Sequence, residues 1–431
     1  MYLIYSALLA VGLLVATPYW LLEMLLHGKY RKGLLQRLGQ VPQSVRNPHG
    51  RSIWLHAVSV GEVLAISELV RNLRVEFPHH RILVSTTTDT GQNLASRRFG
   101  AESVFYFPLD FAFAMRKYFR ALQPELVVVA ETEFWPNFLR LAQESGVQVA
   151  VVNARISDRS LPGYRRWKRI LSPVLRNVSV FVAQSSADAG RLVEIGAPED
   201  RVIVGGNLKF DAVLPPEPPV VGQLKLALAK SEAGPVLVCG STVEGEEPLL
   251  ADAFKKVLAQ FPSAVMLLAP RHPERFARVV TLLQESNVKF WSRTRWYGSP
   301  LNGGVLLIDS IGELANLYSL GDLAIVGGSF VPVGGHNILE PAQHGVPIIV
   351  GPYTENFRDI VELFRSHDSV RVVNATDLPE AILKLFADQN ERQALGRRGL
   401  QILQAQQGAT AITLQRLKAL LPPRELEAHT D

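Results

Sequence analysis

The sequence predicts an α/β protein with two doubly wound parallel-sheet domains in tandem, preceded by an apolar helix. Two series of short apolar, β-branched runs alternate with helical patterns, and a proline-rich stretch separates the two series. Continuous apolar strands separated by helices indicate parallel sheets that are covered on both faces. The chain has 431 residues, 47% of them apolar, which is enough to bury two cores of this kind.

The amino-terminal segment, residues 1–27, is predicted to be a membrane anchor. Its first 22 residues carry no charged side chain, and a helix that crosses a bilayer needs about 20 apolar residues. No Asp or Glu occurs between residues 24 and 61. The basic residues that follow the apolar segment are Lys29, Arg31, Lys32, Arg37, Arg46 and Arg51. This asymmetry places the rest of the chain on the cytoplasmic side.

Two alternatives to a spanning anchor remain open at this point. A cleaved signal peptide is the weaker one, because the segment does not begin with positive charge. A helix lying in one leaflet is the other, since Pro18 and Glu23 interrupt a strict span. A spanning helix and a helix in one leaflet would both keep the protein at the membrane.

The first predicted domain covers residues 28–213. Its strand-like runs begin at Ser52, Arg81, Glu125, Val147 and Val178. Four prolines among the seven residues 214–220 then predict a stiff linker.

The second predicted domain covers residues 221–390. Its strand-like runs begin at Pro235, Ala264, Val305, Leu323 and Pro347. A helical pattern at residues 391–431 is predicted to cross back onto the first domain. Open α/β sheets bind ligands at the carboxyl ends of their strands, and pockets favour domain interfaces, so the active site is expected in a cleft between the domains.

Composition excludes several classes of protein. Cys239 is the single cysteine, so an internal disulfide or a thiolate metal cluster is impossible, and its apolar surroundings predict a core position. No GxGxxG follows the first strand of either domain, and the chain has no P-loop, DxD or HExxH motif. We therefore expect neither a cofactor nor a metal. The net charge of +5 fits an anionic partner.

Polar residues at predicted strand ends of the first domain are candidates for catalysis. Glu62 follows the first strand, and a carboxylate there can take a proton from a hydroxyl. Its structural alternative is a helix-start Glu that interacts with the helix dipole. Glu131 and Glu133 follow a second strand, and Lys209 precedes the linker. A solvated surface lysine is the ordinary alternative for Lys209.

The second domain offers candidate contacts to a nucleotide at its own strand ends. Arg271 can form a fork of charge-assisted bonds to phosphate, and the IGEL turn at residues 311–314 can contact a base edge. Residues 327–345 combine two glycine pairs with Asn337 as a predicted helix cap, typical of a loop that grips phosphate or ribose. The alternative is that these glycines only shape a tight connection.

Residues 155–170 interleave six basic side chains with aromatic ones, which suits an anionic membrane interface or a phosphorylated lipid. The residues assigned to this basic patch are Arg155, Arg159, Arg165, Arg166, Trp167, Lys168 and Arg169. RNA binding is the competing use, but no nucleic-acid module accompanies the patch, so no nucleic-acid partner is predicted. A solvated helix face is the structural alternative.

Taken together, these motifs resemble the Kdo (3-deoxy-D-manno-octulosonic acid) transferase family of lipopolysaccharide synthesis. The resemblance runs nearly end to end through HAVSVGE, AETEFWPN, GNLKFD, GSTVEGEE, PRHPER, GGHNILEPA and GPYTENF. It implies a GT-B fold with two Rossmann-like domains facing a cleft, an acceptor bound by the first domain and CMP-Kdo bound by the second. It also implies a location at the cytoplasmic face of the inner membrane. Val243 departs from the pattern, where a His is expected.

The resemblance also implies roles for single residues. Glu62 matches the general base, and Glu131 and Lys209 match transition-state stabilisers. The residues that match contacts to CMP are Pro270, Arg271, Ile311, Gly312, Glu313, Asn337, Ile338, Leu339 and Glu340. The expected reaction is inverting, metal-independent transfer of Kdo to the lipid A precursor. No oligomeric state, number of transferred sugars or preference for acceptor acylation is predicted.

Two other functions compete with this one. Another GT-B enzyme, such as a nucleotide-sugar epimerase, would not need the apolar anchor or the basic patch. A non-enzymatic membrane-associated binder of nucleotide or lipid would not need Glu62 and Glu131.

Overall fold

The computed structural model describes residues 1–27, 32–47 and 50–421. Lys29 and Arg31 of the predicted basic segment lie outside these ranges, as do residues 422–431 of the predicted carboxyl-terminal segment. The chain divides into two compact units. The first comprises Met1–Ala212 together with the chain from Gln406 onward, and the second comprises Val213–Ala405.

The first unit is built on a parallel sheet of seven strands in the order β3-β2-β1-β4-β5-β6-β7. The strands are β1 (Arg51–His56), β2 (His80–Thr86), β3 (Val104–Tyr106), β4 (Pro124–Ala130), β5 (Gln148–Ala154), β6 (Val180–Ala183) and β7 (Val202–Val204). Successive side chains of a strand point to opposite faces, so Ile53 and Trp54 of β1 pack into different cores. The sheet is therefore buried on both faces, as the continuous apolar runs predict.

The helices of this unit that precede the linker are α1 (Tyr2–His27), α2 (Leu34–Arg37), α3 (Val60–Ala65), α4 (Ser67–Glu76), α5 (Asp89–Phe99), α6 (Ala112–Leu122), α7 (Pro136–Glu144), α8 (Leu161–Arg166), α9 (Lys168–Leu175) and α10 (Ser186–Ile195). The helices between the strands cover both faces of the sheet, whereas the apolar window of α1 is not buried in the protein. Within the described ranges, α1 is the single helix long and apolar enough to cross a membrane. Its Tyr2–Met24 segment has a mean hydropathy of 1.7.

The second unit repeats the architecture with the strand order β10-β11-β9-β8-β12-β13-β14, again parallel throughout. The strands are β8 (Val236–Thr242), β9 (Val265–Pro270), β10 (Phe290–Ser292), β11 (Gly304–Leu307), β12 (Leu323–Val326), β13 (Ile348–Val350) and β14 (Arg371–Val372). Cys239 lies on the central strand β8 and is fully buried, which confirms the predicted core position.

Helices also cover this second sheet on both faces. They are α11 (Pro219–Lys230), α12 (Glu246–Gln260), α13 (Phe276–Glu285), α14 (Leu314–Leu317), α15 (Leu339–Gln343), α16 (Arg358–Ser366), α17 (Leu378–Ala387) and α18 (Gln389–Ala405). Pro219 and Val220, assigned to the linker from sequence, instead form the first turn of α11. Proline fits this position because the first N–H groups of a helix have no partner within the helix.

The last helix, α19 (Ala409–Leu420), belongs to the first unit. Asp211 accepts hydrogen bonds from the backbone N–H groups of Gly408 and Thr410, which fixes the start of α19. The preceding helix α18 lies in the second unit. The part of the predicted 391–431 segment that joins the first unit therefore starts at Gln406.

Candidate active site

Glu62 lies at the carboxyl end of β1, in the first turn of α3. One carboxylate oxygen accepts a bond from the N–H of Val58 at 2.8 Å, and the other accepts from the Ser59 hydroxyl at 3.0 Å. Burial, aided by the negative charges of Glu131 and Glu133, raises the pKa of Glu62 to about 7, although the two hydrogen bonds act to lower it. A carboxylate with this pKa is suited to act as a base near neutral pH.

Glu131 and Lys209 meet in the first unit, as their positions at strand ends suggest. The Lys209 ammonium lies 3.8 Å from a carboxylate oxygen of Glu131, and both side chains are largely buried. Glu131 follows β4 with a left-handed backbone (φ 56°), which is uncommon for a residue other than glycine and is typical of functional strand ends. Burial also raises the pKa of the nearby Glu133, and the negative charge of Glu131 acts in the same direction.

Asn153, which sequence reasoning missed, holds the segment that carries Lys209. Its side-chain oxygen accepts from the N–H of Leu208 at 3.0 Å, and its carbonyl accepts from the Gln184 amide at 3.0 Å. Gln184 in turn accepts from the side-chain amide of Asn207, and the side-chain oxygen of Asn207 accepts from the N–H of Lys209. Asn153 also has a left-handed backbone (φ 53°), a conformation in which Asn is enriched, but nothing else in the sequence signals its role.

In the second unit, Pro270 ends β9 and Arg271 follows it. The N–H of Arg271 donates to the carbonyl of Thr242 at 2.8 Å, so its backbone is fixed at the sheet edge. Its side chain is exposed, and within the described ranges its guanidinium makes no hydrogen bond or ion pair. The group is therefore available to an anionic ligand.

Ile311, Gly312 and Glu313 form the turn after β11. Glu313 pairs with Arg293 at 2.8 Å and also accepts from the Ser310 hydroxyl, so its side chain is held within the protein. Gly312 has a φ of 91° and no atom within 4 Å of a Cβ placed on it, which leaves its backbone open to a ligand. Ile311 is 61% exposed.

The glycine-rich loop after β12 differs in its first half from the predicted phosphate grip. The N–H groups of Gly328, Ser329 and Phe330 all donate to the buried carboxylate of Glu246, at 2.8–3.0 Å. Because an internal anion already occupies them, these three groups cannot hold a phosphate. The GSTVEGEE motif contains Glu246, but the sequence does not indicate this role, because an acidic residue at a helix start usually interacts only with the helix dipole.

The second half of the loop contains residues that are predicted to contact the nucleotide. Asn337 accepts from the N–H of Leu339 at 3.1 Å, and its amide approaches Glu340 at 3.3 Å. The cap position of α15 is taken by Ile338, so Asn337 lies one residue before the predicted cap. Ile338 and Leu339 are buried, so any contact they make to a ligand comes from their backbone. Burial, aided by the positive charges of Arg271 and His272, lowers the pKa of His336 to about 4, so the imidazole is neutral at pH 7.

The basic patch forms the end of α8 and the start of α9. Arg165 is paired with Glu194 at 2.5 Å, whereas Arg166 and Arg169 are exposed and have no ion pair within the described ranges. Trp167 lies between the two helices and is 60% exposed. Lys168 and Arg159 are exposed as well, while Arg155 follows β5 and is half-buried.

Several known proteins with similar sequences share one description. The family described as 3-deoxy-D-manno-octulosonic-acid transferase (kdotransferase) matches residues 32–212. A 3-deoxy-D-manno-octulosonic acid transferase of Haemophilus influenzae is 35% identical over 400 residues, covering 92% of each chain. The protein of the same name from Bordetella pertussis is 34% identical over 394 residues, covering 89% of this chain and 90% of the relative.

A solved structure extends the comparison to the fold. The UDP-GlcNAc 2-epimerase of Neisseria meningitidis, bound to UDP-GlcNAc, covers 86% of this chain and 100% of its own, with a TM-score of 0.56. Its sequence identity is 15%, so this likeness bears on the fold alone.

Proposed function

Because this chain belongs to the 3-deoxy-D-manno-octulosonic acid (Kdo) transferase family and is therefore a glycosyltransferase of GT-B fold, we propose that it transfers Kdo from CMP-Kdo to the lipid A precursor. The observation that supports this best is the group formed by the partly buried side chains of Glu62, Glu131 and Lys209 in the first unit. This cluster combines a base of suitable pKa with an ion pair beside it.

Glu62 is the proposed general base. A pKa of about 7 leaves the carboxylate ionised in a large fraction of molecules at neutral pH while it stays basic enough to take a hydroxyl proton. The deprotonated acceptor hydroxyl would attack the anomeric carbon of Kdo from the face opposite the leaving CMP. A single displacement of this kind inverts the configuration at that carbon.

Lys209 and Arg271 are proposed to stabilise the charges that develop during transfer. CMP leaves with a single phosphate, and fixed cations compensate such charge most strongly where water is excluded. Arg271 makes no ion pair within the described ranges and can donate a fork of bonds to this phosphate. Glu131, held near Lys209, would stabilise positive charge on the sugar ring. These groups would carry the reaction without a metal.

The second unit is proposed to bind the nucleotide. The open backbone at Gly312 and the neighbouring Ile311 and Glu313 would contact the base, and Pro270 would line the end of the adjacent strand β9. Glu340 would accept bonds from the ribose hydroxyls, beside Asn337. The first half of the glycine-rich loop takes no part in phosphate binding in this proposal, because Glu246 already occupies its N–H groups.

The membrane is the proposed location, at the cytoplasmic face of the inner membrane. The apolar helix α1 would anchor the chain, and the basic patch would attract anionic lipids and the phosphates of the acceptor. Trp167 supports this use, because an amphipathic aromatic side chain beside exposed arginines fits the interface between headgroups and acyl chains.

Incubation of the purified protein with CMP-Kdo and a lipid A precursor tests the proposal. Mass spectrometry should detect the precursor enlarged by Kdo, and transfer should persist after chelation of divalent metals by EDTA. The number of Kdo residues added would be read from the same spectra. A free sugar isomer instead of a lipid product would indicate an epimerase, and no turnover with bound CMP would indicate a binding protein.

A further inference from the structure

Two adjacent glutamates, Glu246 and Glu247, begin α12 and are both fully buried. Burying a carboxylate is costly unless hydrogen bonds or an opposite charge compensate it. Each of the two is compensated by a different loop at the carboxyl end of the second sheet.

Glu246 is compensated by backbone alone. One oxygen accepts from Ser329 at 3.0 Å and Phe330 at 2.9 Å, and the other accepts from Gly328 at 2.8 Å and Val243 at 3.0 Å. An ionised carboxylate has about four acceptor positions, so its capacity is filled. Consecutive N–H groups of this kind form a concave anion-binding nest, and here the anion is a side chain of the protein itself.

The loop sequence fits this carboxylate closely. A Cβ on Gly327 would lie 2.8 Å from an oxygen of Glu246 and 2.7 Å from the Cα of Thr242. Gly328 has a φ of 69°, and a Cβ there would lie 2.7 Å from the His336 ring. The lack of side chains at Gly327 and Gly328 therefore leaves room for Glu246 and His336, which is a packing role and not a contact to a ligand.

Glu247 is compensated by Arg275. The guanidinium donates to both carboxylate oxygens, at 2.6 and 3.0 Å, and the Thr242 hydroxyl donates a third bond at 3.0 Å. Arg275 lies four residues after Arg271, at the other end of the loop that follows β9. A bidentate pair of this kind fixes orientation as well as distance.

We propose that Glu246 and Glu247 are positioning residues that preset the two nucleotide-binding loops before the donor arrives. Glu246 fixes residues 328–330 and so presents Asn337 and Glu340, while Glu247 acts through Arg275 on the loop that carries Arg271. The inference rests on the proposed function, because it takes these two loops as the ones that bind CMP. It assigns phosphate binding to the side chain of Arg271 and excludes the amides of residues 328–330.

Hydrogen–deuterium exchange on the wild-type protein gives a first test without any substitution. The amides of residues 328–330 should be strongly protected without nucleotide, and CMP should slow exchange at residues 335–340 but not at 328–330. A large CMP-dependent slowing at residues 328–330 would overturn the inference, because it would show that the ligand takes those amides.

Substitutions give the second test. Glu246→Gln replaces one acceptor oxygen by an NH2 group, which cannot accept from the backbone N–H groups. Hydrogen exchange at residues 328–330 should therefore accelerate at least tenfold. The Kd for CMP and the KM for CMP-Kdo should rise at least tenfold, with kcat within about threefold of wild type. Glu247→Gln keeps one oxygen for Arg275, and we expect a smaller rise in Kd of about threefold.

Asp322→Asn is the matched control for lost stability. Asp322 accepts from the N–H of Val236 at 2.9 Å, at the opposite end of the same strand β8. This variant should lower the Tm but leave the Kd for CMP within about twofold of wild type. If Glu246→Gln lost no more CMP affinity than Asp322→Asn at an equal loss of Tm, the positioning role would be refuted.

Failure of the proposed function is distinguishable from failure of this inference. If the wild-type protein bound no CMP, the proposed function would fall. The comparison of exchange at residues 328–330 between wild type and Glu246→Gln would still decide whether Glu246 holds the loop, since unchanged protection in the variant contradicts it.

Discussion

Replacing Ser59 by alanine should shift the pH dependence of transfer without removing any catalytic group. The Ser59 hydroxyl donates to Glu62 at 3.0 Å and thereby favours the ionised carboxylate. It makes no capping bond to the helix that follows, so its loss should cost α3 little. A hydrogen bond to a charged group contributes about 1.5–3 kcal/mol. A protonated carboxyl keeps part of this bond. We therefore expect the substitution to disfavour the ionised form of Glu62 relative to the protonated form by ~1.4 kcal/mol, which raises its pKa by about one unit.

The assay is the pH profile of kcat/KM, which reports the pKa of the base in the free enzyme. In the wild type, kcat/KM should rise with pH and reach half its plateau at about 7. In Ser59→Ala, the half-maximal point should move to about 8. At pH 7 the ionised fraction of Glu62 would fall from about one half to about one tenth, which lowers kcat/KM about fivefold. Above pH 9 the two proteins should converge.

Ser67→Ala is the matched control, because it removes a hydroxyl that donates to the carbonyl of Val63 and not to a carboxylate. This variant should keep the wild-type midpoint. An unchanged midpoint in Ser59→Ala, or an equal shift in both variants, would refute the assignment of the titrating group to Glu62.

Three further predictions concern the pKa of Glu62, the basic patch and the ribose contact of Glu340. The pKa of Glu62 is about 7 in the folded protein against an ordinary value near 4.5, so its ionisation destabilises the fold as pH rises through this interval. Glu62→Gln should therefore gain stability relative to wild type by about 1–3 kcal/mol between pH 4.5 and 7.5, measured by chemical unfolding, and a flat difference would contradict the shifted pKa. Charge reversal of Arg166 and Arg169 should weaken sedimentation with anionic vesicles at least tenfold at low salt. Reversal of Arg165, which Glu194 already neutralises, should have a smaller effect, and equal effects would argue against the basic patch as the contact. Glu340→Ala should raise the Kd for CMP about tenfold before it harms kcat, whereas unchanged affinity would remove Glu340 from the ribose contacts.

The sequence predicts the inner strands of both sheets and none of their edges. The ten predicted apolar runs all form strands, which occupy the central positions of the two sheets. The strands that went unpredicted, β3, β7, β10 and β14, are the four edge strands and have only two or three residues each. An edge strand pairs on one side only and needs little length, so it leaves no periodic pattern to recognise.

The candidate site likewise contains residues at strand ends that the sequence predicts and supporting residues that it does not predict. Polar residues at the ends of long apolar runs, such as Glu62 and Arg271, can be located from sequence because parallel strands bring their carboxyl ends to one edge. The contact between Lys209 and Glu131 joins residues 78 positions apart, and Asn153 supports it through a left-handed backbone. Glu246 reaches residues 328–330 from over 80 positions away. Such long-range hydrogen bonds have no local signature.

The most direct test of the central claim, that Glu62 is the base in transfer of Kdo from CMP-Kdo, is paired measurement of turnover and CMP affinity in Glu62→Gln. At pH 8 the carboxamide cannot take the acceptor proton, so turnover should fall at least ~100-fold. The Kd for CMP should stay within about twofold of wild type, because the residues proposed to bind the nucleotide belong to the second unit. Wild-type turnover in Glu62→Gln would contradict the account.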